Sequence, residues 1–553
     1  MDIVIVGGVA GGMSAATRLR RLDENAGITV VERGEHVSFA NCGLPYHLSG
    51  VIPERDSLLL QTPQGLAARF GIEVLVRHEA RSIDTAGHKL EIVDLTTGES
   101  RVVGYDALVL SPGARAVVPP VPGAERALTL RDVHDLDVLG EQVARARTAV
   151  VIGGGFVGLE VAENLLAAGL QVAIVEAAPQ VMTPIDVEMV APVHRRLREH
   201  GIDLSLGTTV AEITADAVVT SDGRSLPADL VVAAIGVRPD VDLAREAGLR
   251  IGARGGIVVD ETLRTSAPDV WAVGDAVEKL DALDGAATLV PLANTANLQG
   301  RLVADAIVGR PTAQRPVRGT AIVSVLGLQV GSTGWNERRL RAAGKPYRAI
   351  HTHPSSHAGY YPGAASMSLK LLVDPTNDEI LGAQAVGEDG VDKRIDVVAT
   401  AMAGGLTASD LADLELAYAP QFGSAKDPVN MLGWVDRAAD EGLVATVQWH
   451  ELADVLAAGA TLVDVRTPDE HTRARIPGSV LLPLDELRSR LDELPAGPLV
   501  VHCAVGMRGY LAARVLAQHG RDVRNLDGGY RTWLDGTRTD DSTDDSTHRR
   551  TAS

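Results

Sequence analysis

Cys42 and Cys503 are the only two cysteines of the 553-residue chain, and so its only candidate sulfur nucleophiles. Neither has a second thiol nearby, so a disulfide framework and a clustered-thiolate metal site are both excluded, and no metal is expected. A lone cysteine is by default an inert core residue, so each is judged by its neighbours. Cys42 lies in Ser38-Phe39-Ala40-Asn41-Cys42-Gly43-Leu44-Pro45-Tyr46, a loop that Gly43 and Pro45 hold in place. Cys503 follows the apolar run Leu499-Val500-Val501-His502 and precedes Ala504-Val505-Gly506-Met507-Arg508 and a helical stretch over 509–518. A cysteine between a buried strand and a helix start stands among backbone N–H groups that favour its thiolate. Arg508 adds positive charge, which favours an anionic sulfur donor.

The elements that position these thiols carry a repeated pattern. An apolar run over 2–6 leads into Gly7-Gly8-Val9-Ala10-Gly11-Gly12, a helical stretch to Arg21, a second apolar run and Glu32. The same order returns with a run over 149–152, Gly153-Gly154-Gly155-Phe156-Val157-Gly158, a helix to Ala168 and a strand ending in Glu176. Strand, glycine turn, helix, strand and acid is the dinucleotide-binding unit. Two complete copies suggest two dinucleotides, a resident flavin (FAD) and an exchanging nicotinamide. Val9 stands where the middle glycine of the first turn would be, while Gly7, Gly11 and Gly12 keep the backbone free to adjust.

The flavin contacts are expected at Gly7, Gly8, Ala10, Gly11, Gly12, Glu32 and Arg33, and the nicotinamide contacts at Gly153, Gly155, Gly158, Glu160, Glu176 and Gly236. Two acid–strand–glycine segments, over 105–114 with Ser111 and Gly113 and over 229–239, read as strands leading between the nucleotide domains. The strand over 270–275 ends in Gly274-Asp275, where the aspartate suits a ribityl hydroxyl and a following helix start suits the flavin phosphates. Glu176 is followed by Ala177-Ala178-Pro179, with no cation to neutralise a 2′-phosphate, so NADH is expected over NADPH.

Composition removes other classes. Acidic residues (72) exceed basic ones (52), for a formal charge of -20, which argues against a nucleic-acid surface. No apolar run approaches the ~20 residues that span a bilayer, and the N-terminus already reads as strand and turn, so a cytoplasmic protein is expected. Residues 536–553, with Asp540-Asp541-Ser542-Thr543 echoed at 544–547, read as a disordered tail.

The loop around Cys42 resembles the active-site loop of coenzyme A-disulfide reductases, single-cysteine members of the flavin-dependent pyridine nucleotide-disulfide reductases. The resemblance covers residues 1–440 and includes the first glycine turn, so Val9 is a family habit. Residues 442–535 resemble a rhodanese sulfurtransferase domain. The whole chain is thus similar to fused reductase–rhodanese proteins that reduce coenzyme A persulfide and polysulfides. The implied fold is α/β: two Rossmann-like domains (1–115 with 245–320 for FAD, 116–244 for NAD(P)H), an α+β dimerisation domain (321–440) and a rhodanese domain (441–535). In the third of these, strands over 321–326, 368–373 and 380–386 and helices over 393–403 and 408–414 are expected.

The resemblance implies that Cys42 forms its disulfide with something brought in, and that Ser14, Arg18, Arg21, Ser38, Asn41 and Lys426 contact coenzyme A. Arg18 and Arg21, three apart, would face phosphates from one side of their helix. It places Tyr360, with Tyr361 as the alternative, and Tyr418 near the Cys42 sulfur, from the opposite subunit of a homodimer. Cys503 and Arg508 would take sulfane sulfur from a donor and pass it towards coenzyme A. Ala504 stands where many rhodaneses have Arg, which weakens the case for thiosulfate. An NADH oxidase or peroxidase cycling Cys42 through a sulfenic acid is the alternative; it needs neither the rhodanese domain nor coenzyme A contacts.

Overall fold

The computed structural model describes residues 1–538. The expected tail lies outside the described residues from residue 539 on, and its first two residues close the helix Gly529–Thr537. The chain divides into two compact units, Met1–Val181 with Gly201–Arg318, and Met182–His200 with the chain from Gly319 onward.

The first unit holds two five-stranded parallel sheets. One runs Val270–Ala272, Ala107–Leu110, Asp2–Val6, Gly27–Val31, Glu73–Leu75; the other runs Asp203–Leu206, Gln171–Glu176, Thr148–Ile152, Leu230–Ala233, Ala127–Leu128. Their central strands are apolar and buried over most positions because both faces are covered. Ile3 and Ile5 pack with Met13 and Leu19 on one side, whereas Val4 and Val6 pack with Leu90 and Ile92 on the other. The segments expected to link the nucleotide domains end in Ala114–Ala116 and Val237–Pro239, which pair antiparallel.

The second unit joins an antiparallel sheet to a parallel one. The antiparallel sheet runs Ala321–Val325, Leu328–Gly334, Ile380–Gly387, Met367–Val373, Arg348–Thr352, with helices Val391–Gly404 and Pro428–Asp440. The parallel sheet runs Ala445–Val447, Val523–Leu526, Leu499–His502, Thr461–Asp464, Val480–Leu481.

Two differences from the sequence reading have physical causes. The helix expected over 408–414 is a 3-10 turn, Ser409–Asp413, because Asn430 Nδ2 donates to the carbonyls of Leu411 (3.0 Å) and Leu414 (2.9 Å) and draws the chain out of helical register. Met182–His200, expected within the nicotinamide domain, groups with the second unit. There Asp186 (2.8 Å), Glu337 (2.6 Å) and Glu188 converge on the wholly buried Lys370 ammonium. Burial alone would pull Lys370 down, but Glu188, Asp186 and Glu337 hold it charged, above the ordinary lysine range. A buried cation needs such partners, so the sheet carrying Lys370 binds the segment that supplies them.

Candidate active sites

The two glycine turns of the first unit are built alike. Gly7 (φ +98°) and Gly153 (φ +107°) adopt backbone that L side chains avoid, and a Cβ would stand 2.0 Å from the Ser111 carbonyl oxygen or 2.5 Å from that of Ala234. Gly12 and Gly158 press their helices onto the turns, where a Cβ would come within 1.9 and 2.0 Å of the carbonyl oxygens of Gly7 and Gly153. At Gly155, the counterpart of Val9, no protein atom lies within 4 Å of a Cβ, so a turn of this kind leaves room for a side chain there. The helices Ala10–Leu22 and Phe156–Ala167 begin without a side-chain cap, leaving first-turn N–H groups for a phosphate.

The two acids repeat as well. Glu32 accepts from Gly8 N (2.7 Å) and Gly34 N (2.8 Å), and Glu176 accepts from Gly154 N (2.6 Å) and Ala178 N (2.7 Å). Each carboxylate is thereby fixed at the mouth of its turn. Ser111 Oγ lies against Gly11, and Gly113, Gly236 and Gly274 all turn with positive φ. These cradles fit the adenosine and pyrophosphate of FAD and of a nicotinamide dinucleotide.

Arg33 departs from this picture: it is exposed and reaches only Glu79, at 4.0 Å. Asp275 lies within the 3-10 turn Gly274–Ala276 and is followed by extended chain, not by a helix; the buried Lys279 closes the turn by donating from Nζ to the Gly274 carbonyl (2.8 Å). Burial lowers Lys279 to about 8 and raises Asp275.

Cys42 sits in the 3-10 turn Asn41–Gly43 just before the helix Leu44–Leu48. Asn41 Oδ1 accepts the Cys42 N–H at 3.1 Å, which sets the backbone of the loop. Although Cys42 is open to solvent on one side, burial of the rest pushes its thiol up, and the charges of Glu160 and then Asp275 push it further. Tyr46, one helical turn on, donates its hydroxyl to Glu160 Oε1 at 3.1 Å. Burial and Glu160 raise Tyr46, while burial raises Glu160 itself.

The residues expected to hold coenzyme A do not present one uniform face. Ser14 Oγ donates to Asn297 Oδ1 (2.5 Å), and Ser38 adopts φ +49° in the turn that crosses Gly8. Arg21 is exposed, but Arg18 is engaged with Asp305 at 2.8 Å, so the expected pair of free guanidiniums is reduced to one.

In the second unit the Tyr360 and Tyr418 hydroxyls meet at 3.0 Å, and both rings are largely exposed. Their mutual bond raises Tyr360. Tyr361 instead packs edge-on against His357. Lys426 is exposed, next to the Asp427 that caps the helix Pro428–Asp440.

Cys503 ends the strand Leu499–His502 and is wholly buried. Its Sγ accepts the Gly506 N–H at 3.2 Å, directly before the helix Met507–Gln518. The next helix, Gly529–Thr537, supports the loop from beneath: Tyr530 N–H donates to the Cys503 carbonyl (2.8 Å) and Arg531 N–H to that of Ala504 (3.0 Å). Arg508 is not the free cation that the sequence suggests. It forms a bidentate pair with Glu470 (2.6 and 2.8 Å), and that pair holds Glu470 down at about 2. Asp464, at the end of the strand Thr461–Asp464, and Arg466 form a buried pair at 2.7 Å.

Residues 1–300 match the pyridine nucleotide-disulphide oxidoreductase family, residues 320–428 its dimerisation domain and residues 448–535 the rhodanese-like domain. The chain belongs to the pyridine nucleotide-disulphide oxidoreductases. A coenzyme A disulfide reductase of Staphylococcus aureus (strain bovine RF122 / ET3-1) is 33% identical over 437 residues, 78% of this chain and 99% of that protein. The structure of reduced Bacillus anthracis CoADR-RHD is 45% identical with a TM-score of 0.95, covering 97% of this chain and 98% of that one. A NAD-dependent persulfide reductase from A. fulgidus is 37% identical with a TM-score of 0.91, covering 96% and 100%.

Against this pyridine nucleotide-disulphide oxidoreductase frame, three residues of the sites escape the sequence reading. Tyr46 stands inside the quoted loop, but its bond to Glu160 spans 114 positions. Glu160 is expected from the sequence at the nicotinamide, but only the structure shows that its charge also acts on Cys42. Glu470 carries a local signal, a capping box with Thr467, yet nothing local shows that Arg508 is its partner.

Proposed function

We propose that this chain is an NADH-dependent flavoenzyme that reduces coenzyme A persulfide or coenzyme A disulfide through Cys42, while Cys503 transfers sulfane sulfur. The observation that carries the reading is the isolation of Cys42: it is exposed, and the other cysteine is buried in a loop of its own in the second unit. A thiol without an internal partner completes its disulfide with a substrate. Attack of the Cys42 thiolate on the coenzyme A sulfur of the persulfide expels hydrosulfide and leaves a mixed disulfide between Cys42 and coenzyme A. FAD held at the Glu32 turn would supply the electron pair, drawn from the nicotinamide, that reduces that disulfide. Coenzyme A thiolate then leaves, and Cys42 returns to its thiolate.

In this reading the Glu32 turn, with Ser111, Gly113 and Asp275, holds the flavin, and the Glu176 turn, with Gly236, holds NADH. Ser14, Arg21, Ser38, Asn41 and Lys426 bind coenzyme A, and Arg18 joins them only by releasing Asp305. Tyr360 and Tyr418, from the second copy of a homodimer, hold the substrate sulfur and protonate the departing thiolate. Their 3.0 Å pairing favours Tyr360 over Tyr361. Cys503 accepts sulfane sulfur from a donor as a persulfide under the Gly506 N–H, and coenzyme A takes it on.

The test is steady-state NADH consumption with coenzyme A persulfide, coenzyme A disulfide and oxygen side by side. Either coenzyme A species is expected to far outpace oxygen. Oxygen as the best acceptor would replace this reading with an NADH oxidase.

A further inference from the structure

The mechanism leaves unused a cleft of about 300 Å³ in the second unit. The helices Val187–Glu199 and Gly529–Thr537 form its sides, and residues at the ends of the antiparallel strands form its floor. Arg195, Arg196, Arg531, Ser366, Glu199 and Glu388 contribute its polar lining. We infer that this cleft seats a tetrahedral oxyanion, the group carried both by inorganic sulfur donors and by the phosphates of coenzyme A.

Glu199 and Glu388 are exposed at the rim, and Glu388 pairs with Arg196 at 2.5 Å, which also donates to the Leu326 carbonyl at 2.8 Å. Arg195, its side chain 38% exposed, binds Asp535 at 2.6 Å, and the Asp535 side chain is only 4% exposed. Arg531 donates to a neutral partner, Ser366 Oγ, at 2.6 Å. Among the described residues Arg195 and Arg196 are thus each paired with a carboxylate, whereas Arg531 has none within ion-pair distance.

The neighbouring groups respond to these charges. Arg531 is lowered by burial and by Arg195, with only Asp535 opposing, while burial raises Asp535. His353, bonded through Nε2 to Thr532 Oγ1 at 2.8 Å, is driven far down by burial and by the Arg531 charge. A guanidinium without a carboxylate partner can take an anion, and its fork matches the oxygens of sulfate-like or phosphate groups. The place also has a consequence for sulfur transfer: Arg531, whose side chain lines the cleft, carries the carbonyl of Ala504 on its own N–H, beside Cys503. An oxyanion in the cleft is thus anchored to the sulfur-transfer loop.

The experiment is calorimetric titration of the flavin-loaded, full-length Cys42→Ser/Cys503→Ser protein with inorganic phosphate and with thiosulfate. Without either thiol the protein cannot turn these probes over, so the result is independent of the reductase reading and can fail while that reading stands. Saturable binding is expected, with one site weakened at least about tenfold, ~1.4 kcal/mol, in Arg195→Gln/Arg531→Gln. Arg531→Lys, which keeps the charge but loses the fork, is expected to fall between; it serves as the test if the double variant fails to hold flavin. Displacement of phosphate by coenzyme A that requires Arg531 would assign the seat to the cofactor's phosphates. Thiosulfate binding that coenzyme A does not displace would assign it to an inorganic donor. Unchanged affinity in both arginine variants, or no binding by the parent, overturns the proposal.

Discussion

The two cysteines meet opposite solutions to the same problem, that of making a sulfur atom react. Cys42 lies open in a 3-10 turn with two carboxylates, Glu160 and Asp275, working against its thiolate. Cys503 is sealed from solvent, takes a backbone N–H on its sulfur and stands at the start of a helix. The side chain that adds charge beside it, Arg508, is shared between Glu470 and Cys503. The site at Cys503 is complete within one short stretch of chain and its supporting helix. At Cys42 burial and the carboxylates of Glu160 and Asp275 disfavour the thiolate. A thiol that waits for a partner is protected from idle oxidation, whereas a thiol meant to carry sulfur is kept ready and shielded.

The largest expected effect separates the two. Cys42→Ser should cut coenzyme A persulfide reduction by at least about a thousandfold, with flavin content and flavin reduction by NADH intact. Cys503→Ser should do the reverse, removing sulfur transfer from a donor while leaving reduction of preformed persulfide unchanged. Equal loss of both activities in Cys503→Ser would end the idea that the sites work independently.

The next effect tests the backbone cradle. Gly529 has φ +65°, and a Cβ there would stand 2.6 Å from the Cys503 carbonyl oxygen and 2.8 Å from Gly506 N. Gly529→Ala should therefore displace the loop and lower sulfur transfer by about a hundredfold, with persulfide reduction near normal in the same preparation. Transfer activity within a factor of about two of the parent would show that the loop does not depend on this support.

A smaller effect belongs to the nucleotide turns. Because both Glu176 oxygens are fixed by N–H groups at the turn, a 2′-phosphate would face a held negative charge, and NADH should be preferred at least about tenfold in kcat/KM. Glu176→Ala should narrow that ratio chiefly by improving NADPH. Equal use of both cofactors by the parent would show that this acid does not read the ribose.

The smallest effect sharpens the electrostatic contrast. A neighbouring negative charge disfavours the thiolate, so removing it must lower the thiol's pKa. Glu160→Gln should move the pH midpoint of Cys42 alkylation downward and speed alkylation near neutrality, measured in the Cys503→Ser background. A midpoint that stays put would show that Glu160 acts on the nicotinamide side alone.

The glycine turns, their closing acids, the linking strands and the strand–loop–helix around Cys503 were all legible in the sequence. Each is set by residues a few positions apart, and glycine conformations, strand periodicity and helix starts are local properties. The register of Glu32 and Glu176, each accepting from its own glycine turn, follows from the same spacing in both units. What remained hidden are pairings across the chain: Tyr46 with Glu160, Tyr360 with Tyr418, Arg508 with Glu470, Arg18 with Asp305, and the acids that gather on Lys370. No pattern marks which of the chain's many acids will neutralise a given arginine, because that choice depends on which faces the packed sheets and helices bring together.

The sequence by itself determined the two nucleotide units, the lone thiol at Cys42 and the sulfur-carrying loop at Cys503, and with them the chemistry that is possible. Only the tertiary structure decided the electrostatic state in which that chemistry starts. It put Glu160 and Asp275 within the field of Cys42, paired Arg508 and Arg18 with carboxylates, and gave Arg531 a neutral partner in Ser366. The physical reason is that bond patterns of the backbone are short-ranged along the chain, while charge and burial act through space.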